Sequence, residues 1–319
     1  EHDSSLAELS RLARTLGFEV VSRVTQKRAA LAPGAVVGEG KLEELVRAAA
    51  DAEAVLVDHE ITPSQARNLE KATGKEVLDR TAVILAIFHR HARSREARLQ
   101  VELARLAYLA PRLRESGAGR DRQGGGIGAK GAGESNLELD RRKLRDRMAE
   151  LRRELAALSR DGGTRRKRRA EQATTALVGY TNAGKSSLMR ALTGSAVYVA
   201  DQLFATLDTT VRALEPPTQP RILASDTVGF IKKLPHDLVA SFRSTLEEAR
   251  DADLQLHVAD VSDPAFRAHL EVTRQVLHEI GADGVPVLLV LNKRDRLEAG
   301  QEGLLAAEFP DAILVSAKR

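Results

Sequence analysis

The chain has 319 residues, more than one hydrophobic core usually serves, so two or three domains are expected. Hydrophobic residues make up 43% and charged residues 29%, the balance of a soluble globular protein, and the absence of cysteine excludes disulfides and thiolate metal sites. Net charge is only +4, yet Arg and Lys crowd the middle of the chain, at Arg141-Arg-Lys143, Arg145, Arg147, Arg152-Arg153 and Arg165-Arg-Lys-Arg-Arg169. One such run is usually a solvated helix face; several together favour a polyanion, most often nucleic acid. Aromatics are 3%, so contacts to backbone and shape are expected rather than base stacking. The longest apolar run, near Val285 to Leu291, is far too short for a bilayer, which takes about 20 residues. No secretory segment opens the chain, so a cytoplasmic location is expected. It begins at Glu1 rather than Met, and a natural start, with a first strand, is expected upstream.

Along the chain, Ser5 to Leu16 carries Leu6, Leu9, Ala13 and Leu16 at helical spacing, and Gly17 stops it. Phe18-Glu-Val-Val21 reads as a strand. Leu42 to Ala50 is a second helix and Ala54 to Val57 a buried strand. Thr62 and Pro63 are the N-cap and first position of another helix, Gly74 ends it, and Glu76 to Leu78 is the next strand. Residues 1–80 therefore predict a small parallel βα domain.

Thr81 to about Leu113 reads as one long helix, free of proline until Pro111. Ser135 to Ser159 reads as another, with Leu137, Leu144, Met148, Leu151, Leu155 and Leu158 on its apolar side. The pattern predicts an antiparallel helical hairpin over 81–160 with a glycine-rich tip at 117–134. The sequence from Gly124 to Glu134, GGGIGAKGAGE, has too many glycines for a packed turn. Its plain reading is a disordered linker; its functional reading is a flexible probe whose Lys130 and Arg120 meet phosphates. Residues 161–173 read as a basic linker, and from 174 to 319 strand, loop and helix alternate again.

That last segment carries the chemistry. Gly179 to Ser186 fits G-x-x-x-x-G-K-[ST] between a strand and a helix, so the loop's N–H groups can cradle phosphates at a helix N-terminus. Lys185 would neutralise the β- and γ-phosphates and Ser186 would take a Mg²⁺ position. Asp226-Thr227-Val228-Gly229 follows the strand Ile222-Leu-Ala: Asp226 can hold Mg²⁺ through a water, and the Gly229 amide can touch the γ-phosphate. Asn292-Lys293-Arg294-Asp295 follows a further strand. Asp295 can accept from N1–H and the exocyclic amine of guanine, which adenine cannot satisfy, and Lys293 would lie over the base. Ser316-Ala317-Lys318 can turn its amides to the guanine O6. A switch threonine should complete the Mg²⁺ shell, and Thr206, Thr209 and Thr210 are all candidates. Phe230 stands where Ras-like proteins carry the glutamine that orients the attacking water, so another group must do this.

The motifs GYTNAGKSSL, DQLFATLDTT, DTVGFIKKLPHDLV and NKRD, with VVGEGKLEEL, GGGIGAKGAGE and LELDRRKLR outside the GTPase segment, resemble the HflX family of translation GTPases over nearly the whole chain. The resemblance implies an α/β protein with a P-loop GTPase domain whose sheet is mostly parallel. It implies binding to the large ribosomal subunit and its RNA, as a monomer, and a role in splitting or rescuing stalled or idle ribosomes. It also implies that Thr206 is the Mg²⁺ threonine, which makes Lys185, Thr206 and Gly229 the expected catalytic contacts. Nucleotide contacts are then expected from Gly179, Tyr180, Thr181, Asn182, Ala183, Gly184, Lys185, Ser186 and Ser187, and from Phe204, Ala205, Thr206, Leu207 and Asp208. Asp226, Thr227, Val228, Gly229, Asn292, Lys293, Asp295, Ser316, Ala317 and Lys318 complete the set. Metal contacts are expected from Ser186, Thr206 and Asp226. Asn182 resembles, at its place in the loop, the asparagine that helps bind K⁺ in GTPases such as the tRNA-modifying MnmE; the plainer reading is that it shapes the loop. Two departures stand out. The chain stops soon after SAK, before a closing helix and the family's usual C-terminal domain, and the tip reads AKGAGES where the family commonly has TRGPGET.

Weaker signals are Gly38-Glu-Gly40-Lys41, which reads as a helix-start turn more readily than as a second nucleotide cradle, and His89 and His91, which fall on different helix sides. His236 lies in the second switch region and reads as a surface histidine. The competing reading is an RNA-remodelling ATPase that uses the N-terminal domain and has a regulatory GTP site.

Overall fold

The computed structural model describes residues 2–27, 30–117, 136–169, 172–194, 203–233 and 243–318. The chain divides into two compact units, Glu1–His89 with Val101–Glu154, and Arg90–Gln100 with Leu155–Arg319.

The first unit opens with α1 (His2–Thr15), which buries Leu9, Leu12 and Ala13. Helix α2 (Glu39–Ala48), strand β1 (Ala54–Val57), helix α3 (Pro63–Thr73) and strand β2 (Glu76–Asp79) follow. β1 and β2 pair in parallel, from Ala54 opposite Glu76 to Val57 opposite Asp79. Val36, Val55, Ile61, Leu69 and Val77 form the core. α3 begins and ends for local reasons. Thr62 and Gln65 form a capping box with Pro63 behind it, and Gly74 closes the helix at φ 68°. Buried charges are paired: Arg80 meets Glu8 and Asp58, and Asp79 accepts from the Tyr108 hydroxyl (2.9 Å) and Arg112 (2.7 Å).

Three expectations are corrected here. Phe18–Val21 forms no strand. It runs along a cavity of about 440 Å³ beside β1, Val21 is 68% exposed, and the segment lacks the backbone ladder a strand needs. The single helix expected over 81–113 is two, α4 (Arg80–His91) and α5 (Arg95–Gly117), and α5 runs on through Pro111. The break falls at Ser94, whose hydroxyl accepts from the Ala97 amide (3.0 Å), so a capping side chain replaces helical bonding there. Helix α6 (Asn136–Arg169) continues over 161–169, the stretch expected as a linker; extending a helix already formed costs little per residue, so Gly162 and Gly163 weaken it without ending it. Arg147 on α6 pairs with Glu102 on α5 at 3.0 Å. The tip beyond Gly117, with Arg120 and Lys130, lies outside the described residues, as does His236.

The second unit holds a six-stranded sheet in the order β4-β5-β3-β6-β7-β8. Its strands are β3 (Ala173–Val178), β4 (Thr210–Ala213), β5 (Ile222–Asp226), β6 (Leu254–Asp260), β7 (Val287–Asn292) and β8 (Ile313–Leu314). Only β4, at one edge, pairs antiparallel. Helices α7 (Lys185–Thr193), α8 (Arg243–Arg250), α9 (Phe266–Glu279) and α10 (Gln301–Glu308) accompany it. β3 runs through the core beside Ala224, Val258 and Val290. Its neighbours, β5 and β6, come from opposite directions of the strand order, so a crevice opens at its C-terminal end, where open α/β sheets take ligands. Among the described residues no helix is long and apolar enough to cross a membrane.

Candidate nucleotide-binding site

The loop between β3 and α7 wraps the C-terminal end of the sheet because its backbone can turn there. Gly179 has φ 146° and Gly184 φ 95°, and a Cβ on either would overlap Val258 O or the Asn292 amide. Asn182 takes φ 61°, a conformation asparagine tolerates. Lys185 opens α7 fully within the fold, and its Nζ donates to the Gly179 (3.1 Å) and Tyr180 (3.0 Å) carbonyls. Burial lowers its pKa to about 8, with the Asp226 charge offsetting part of the shift.

Ser186, Thr206 and Asp226 converge beside it. Ser186 Oγ donates to Asp226 Oδ2 (2.6 Å) and stands 2.6 Å from Thr206 Oγ1. The other Asp226 oxygen is buried without a hydrogen-bond partner in the structure. Burial raises the Asp226 pKa, opposed by the Lys185 charge and by hydrogen bonds from Ser186, Thr206 and the Thr227 amide. Two hydroxyls and one carboxylate, one of whose oxygens is buried and orphaned, suit Mg²⁺, which prefers oxygen ligands and takes few from protein. Of the three candidate threonines, Thr206 alone has its hydroxyl against Ser186; Thr210 opens β4, and Thr209 Oγ1 is buried without a partner.

The second switch is bound to the phosphate loop. Thr181 N donates to Phe230 O (2.7 Å), Phe230 N to Gly179 O (3.1 Å), and Thr227 Oγ1 to Leu177 O (2.7 Å). Tyr180 stacks on His269 with ring centroids 3.8 Å apart and accepts from Lys232 N (2.8 Å). The Phe230 side chain is 0% exposed, a core anchor with no access to the crevice.

On the far side of the loop, Asn292 Nδ2 donates to Ala183 O (2.9 Å) and Asn292 Oδ1 accepts from Ala317 N (3.1 Å), which braces the loop against SAK. Lys293, at φ 67°, donates to Asn182 O (2.9 Å) and pairs with Asp260 (2.6 Å). Ser316 Oγ donates to Asp295 Oδ1 (2.6 Å), a bond that holds the Asp295 pKa below the usual carboxylate range.

One cavity of about 180 Å³ thus gathers the phosphate loop (Thr181, Asn182, Gly184 to Ser187), the first switch (Phe204 to Thr206), Thr227 and Gly229, and Lys293 and Lys318. Not every expected residue lines it: Gly179, Tyr180, Asp226, Asn292, Asp295, Ser316 and Ala317 do not, and four more turn elsewhere. Leu207 is 2% exposed within the core, and the Asp208 carboxylate accepts from the Arg93 and Ser94 amides instead, at 3.1 and 3.2 Å. Ala183 and Val228 are buried as well, leaving only their backbone to serve. Two contributors went unread in the sequence. Arg296 lines the cavity, one residue past the Asp295 that pointed to it. Asp260 ends β6 with no motif to mark it. The Gly38-Gly40 turn is an ordinary helix start in which Lys41 pairs with Glu44 at 2.7 Å.

Three family profiles match in sequence order: a GTP-binding GTPase N-terminal region over 3–89, a GTP-binding GTPase middle region over 91–169, and a 50S ribosome-binding GTPase over 174–293. The chain is 57% identical to the GTPase HflX of Gluconacetobacter diazotrophicus, an alignment covering 99% of this chain and 78% of that protein. It is 46% identical to the GTPase HflX of Escherichia coli over 92% of this chain and 70% of that one. Among solved structures, a GTP-binding protein from Sulfolobus solfataricus in complex with GDP aligns with a TM-score of 0.51 at 26% identity, covering 98% of this chain and 89% of its own.

Proposed function

The chain belongs to the HflX family of GTPases, and from that premise we propose that it binds GTP with Mg²⁺, hydrolyses it to GDP and phosphate, and uses the cycle to engage the large ribosomal subunit. The observation that carries the hydrolytic part is the convergence of Ser186, Thr206 and Asp226 beside Lys185, in one cavity with Gly229 and Lys293.

In this reading Lys185 carries its charge to the β- and γ-phosphates, and the loop amides turn inward to them. Ser186, Thr206 and Asp226 would hold Mg²⁺, which would supply charge neutralisation on the phosphate oxygens. The Gly229 amide meets the γ-phosphate. Asp295, kept ionised by Ser316, accepts from guanine, and Lys293, held by Asp260, covers the base. No side chain at position 230 reaches the water, because Phe230 is spent on the core. Intrinsic turnover is therefore slow, and the ribosome speeds it by completing the order of the switches, above all by placing the group that positions the water. K⁺ beside Asn182 is a second source of positive charge.

The basic residues along α6, the 50S ribosome-binding description of the matching profile and the glycine-rich tip support ribosomal RNA as the partner. The protein acts as a cytoplasmic monomer in ribosome splitting, rescue or recycling. Sedimentation of ribosomes with the full-length protein and a non-hydrolysable GTP analogue tests this. Separation into subunits is expected, and intact ribosomes with no bound protein would reject it. Deleting Gly124–Gly133 should leave GTP affinity unchanged and abolish stimulation by the large subunit; normal stimulation would exclude the tip.

A further inference from the structure

We infer that the turn between α4 and α5 positions Thr206, and that Ser94 and Asp208 form the clamp that does it. This rests on the reading of Thr206 as the Mg²⁺ threonine. The turn belongs to the same compact unit as the six-stranded sheet, although it precedes that sheet in sequence by a whole helical region.

The first switch is held on both sides of Thr206. Upstream, Phe204 is 2% exposed and takes φ 58°, a left-handed conformation that side chains rarely adopt. It is kept there through its backbone. Its amide donates to Thr181 Oγ1 on the phosphate loop (2.9 Å), and its carbonyl accepts from His91 Nδ1 (2.8 Å). Downstream, the Asp208 carboxylate receives three donors from the turn: the Arg93 amide (3.1 Å), the Ser94 amide (3.2 Å) and the Ser94 hydroxyl. The Asp208 carboxylate therefore sits at the start of α5, where free N–H groups point outward to an acceptor. Leu207, between clamp and threonine, is buried and adds no slack. With both flanks tied, the backbone at 205–206 has little freedom, and Thr206 Oγ1 is delivered to Ser186 at 2.6 Å. Without the downstream tie, the threonine would have to be ordered at the moment of reaction, and that cost would fall on the chemical step.

The geometry makes Ser94 and Asp208 positioning residues, acting through Thr206 and touching neither base nor phosphate. Single-turnover GTP hydrolysis and GDP affinity, measured on the full chain across a Mg²⁺ titration, test this for Asp208→Ala, Ser94→Ala, Ser94→Thr and Thr206→Ala. Asp208→Ala, which removes the acceptor of all three donors, should lower the rate at least about tenfold, the loss expected if even one hydrogen bond to a charged group counts. Ser94→Ala should lower it in the same sense, both should need more Mg²⁺ for half-maximal rate, and both should keep wild-type GDP affinity, which reports an intact fold. The double variant should be no worse than Asp208→Ala, and Ser94→Thr should restore the rate. A wild-type rate and Mg²⁺ dependence in Asp208→Ala and Ser94→Ala would overturn the clamp, as would an equal loss of GDP affinity or additive losses in the double variant. Thr206→Ala separates the two layers. If it hydrolyses GTP normally, the Mg²⁺ reading of Thr206 fails; if it is impaired while the clamp variants are not, only the clamp fails.

Discussion

Gly229 approaches Thr181 so closely that a Cβ at 229 would lie 2.6 Å from Thr181 Cα and 3.0 Å from Lys185 Nζ. The lysine end could swing aside, but the Thr181 backbone, bound to Phe230 O at 2.7 Å, cannot. Gly229→Ala should therefore hold the second switch off the phosphate loop. Turnover should fall on the order of 10²-fold, as for losing one preorganised donor, while GDP affinity stays near wild type. Unchanged turnover would mean that the Gly229 amide does not serve the γ-phosphate.

Lys185 gives a proton signal. Burial lowers its pKa to about 8 in the free protein, below the ordinary lysine value, so at pH 8 about half of it is neutral. Phosphates beside Nζ favour the charged form. Binding GDP at pH 8 should therefore take up about half a proton, and at pH 6 almost none. Affinity should weaken as pH rises beyond 8. Calorimetry in buffers of different ionisation enthalpy reads the uptake directly, and Lys185→Gln should abolish it.

Phe230→Gln should not create a faster enzyme. The side chain is 0% exposed, so a glutamine there is a polar amide in the core rather than a water-positioning group in the crevice. Thermal or denaturant unfolding should show a loss of about 3 kcal/mol, within the range for emptying and polarising an aromatic site. Intrinsic turnover at or above the ribosome-stimulated rate would show that the glutamine had reached the water.

Asp295→Asn exchanges a double acceptor for an amide, which suits xanthine better than guanine. Preference should shift toward XTP in competition binding, and unchanged GTP affinity would take Asp295 off the base. In the wild type, the Ser316 bond keeps the Asp295 pKa low, so the carboxylate stays ionised as pH falls. Guanine preference should therefore persist down to about pH 4, where an ordinary Asp is half protonated.

Turnover in K⁺ and Na⁺ at equal ionic strength, with and without large ribosomal subunits, tests Asn182. Faster turnover in K⁺ is expected for the wild type, with the advantage lost in Asn182→Ala. Equal rates in the two salts would leave Asn182 as a loop former, consistent with its φ of 61° and its carbonyl bond to Lys293.

What the sequence alone determined about this protein is what short-range chemistry carries. The Thr62 cap, the Gly74 stop and the order of GYTNAGKSS, DTVG, NKRD and SAK are written in neighbouring residues, because caps, tight turns and strand ends depend on a few positions at a time. The helix break at Ser94 was written there too, but weakly, since a serine after a run of helix formers does not announce a cap. Tertiary structure decided the rest. Thr206 was one of three threonines until the fold set it against Ser186. Asp208, read as a nucleotide contact, turns instead to a partner 114 residues upstream in Ser94, and Asp260 finds Lys293 across 33 residues. Phe230 lies beside Gly229 in sequence, yet its ring belongs to the core. A side chain's direction and its partner depend on packing between distant segments, and no local pattern encodes that.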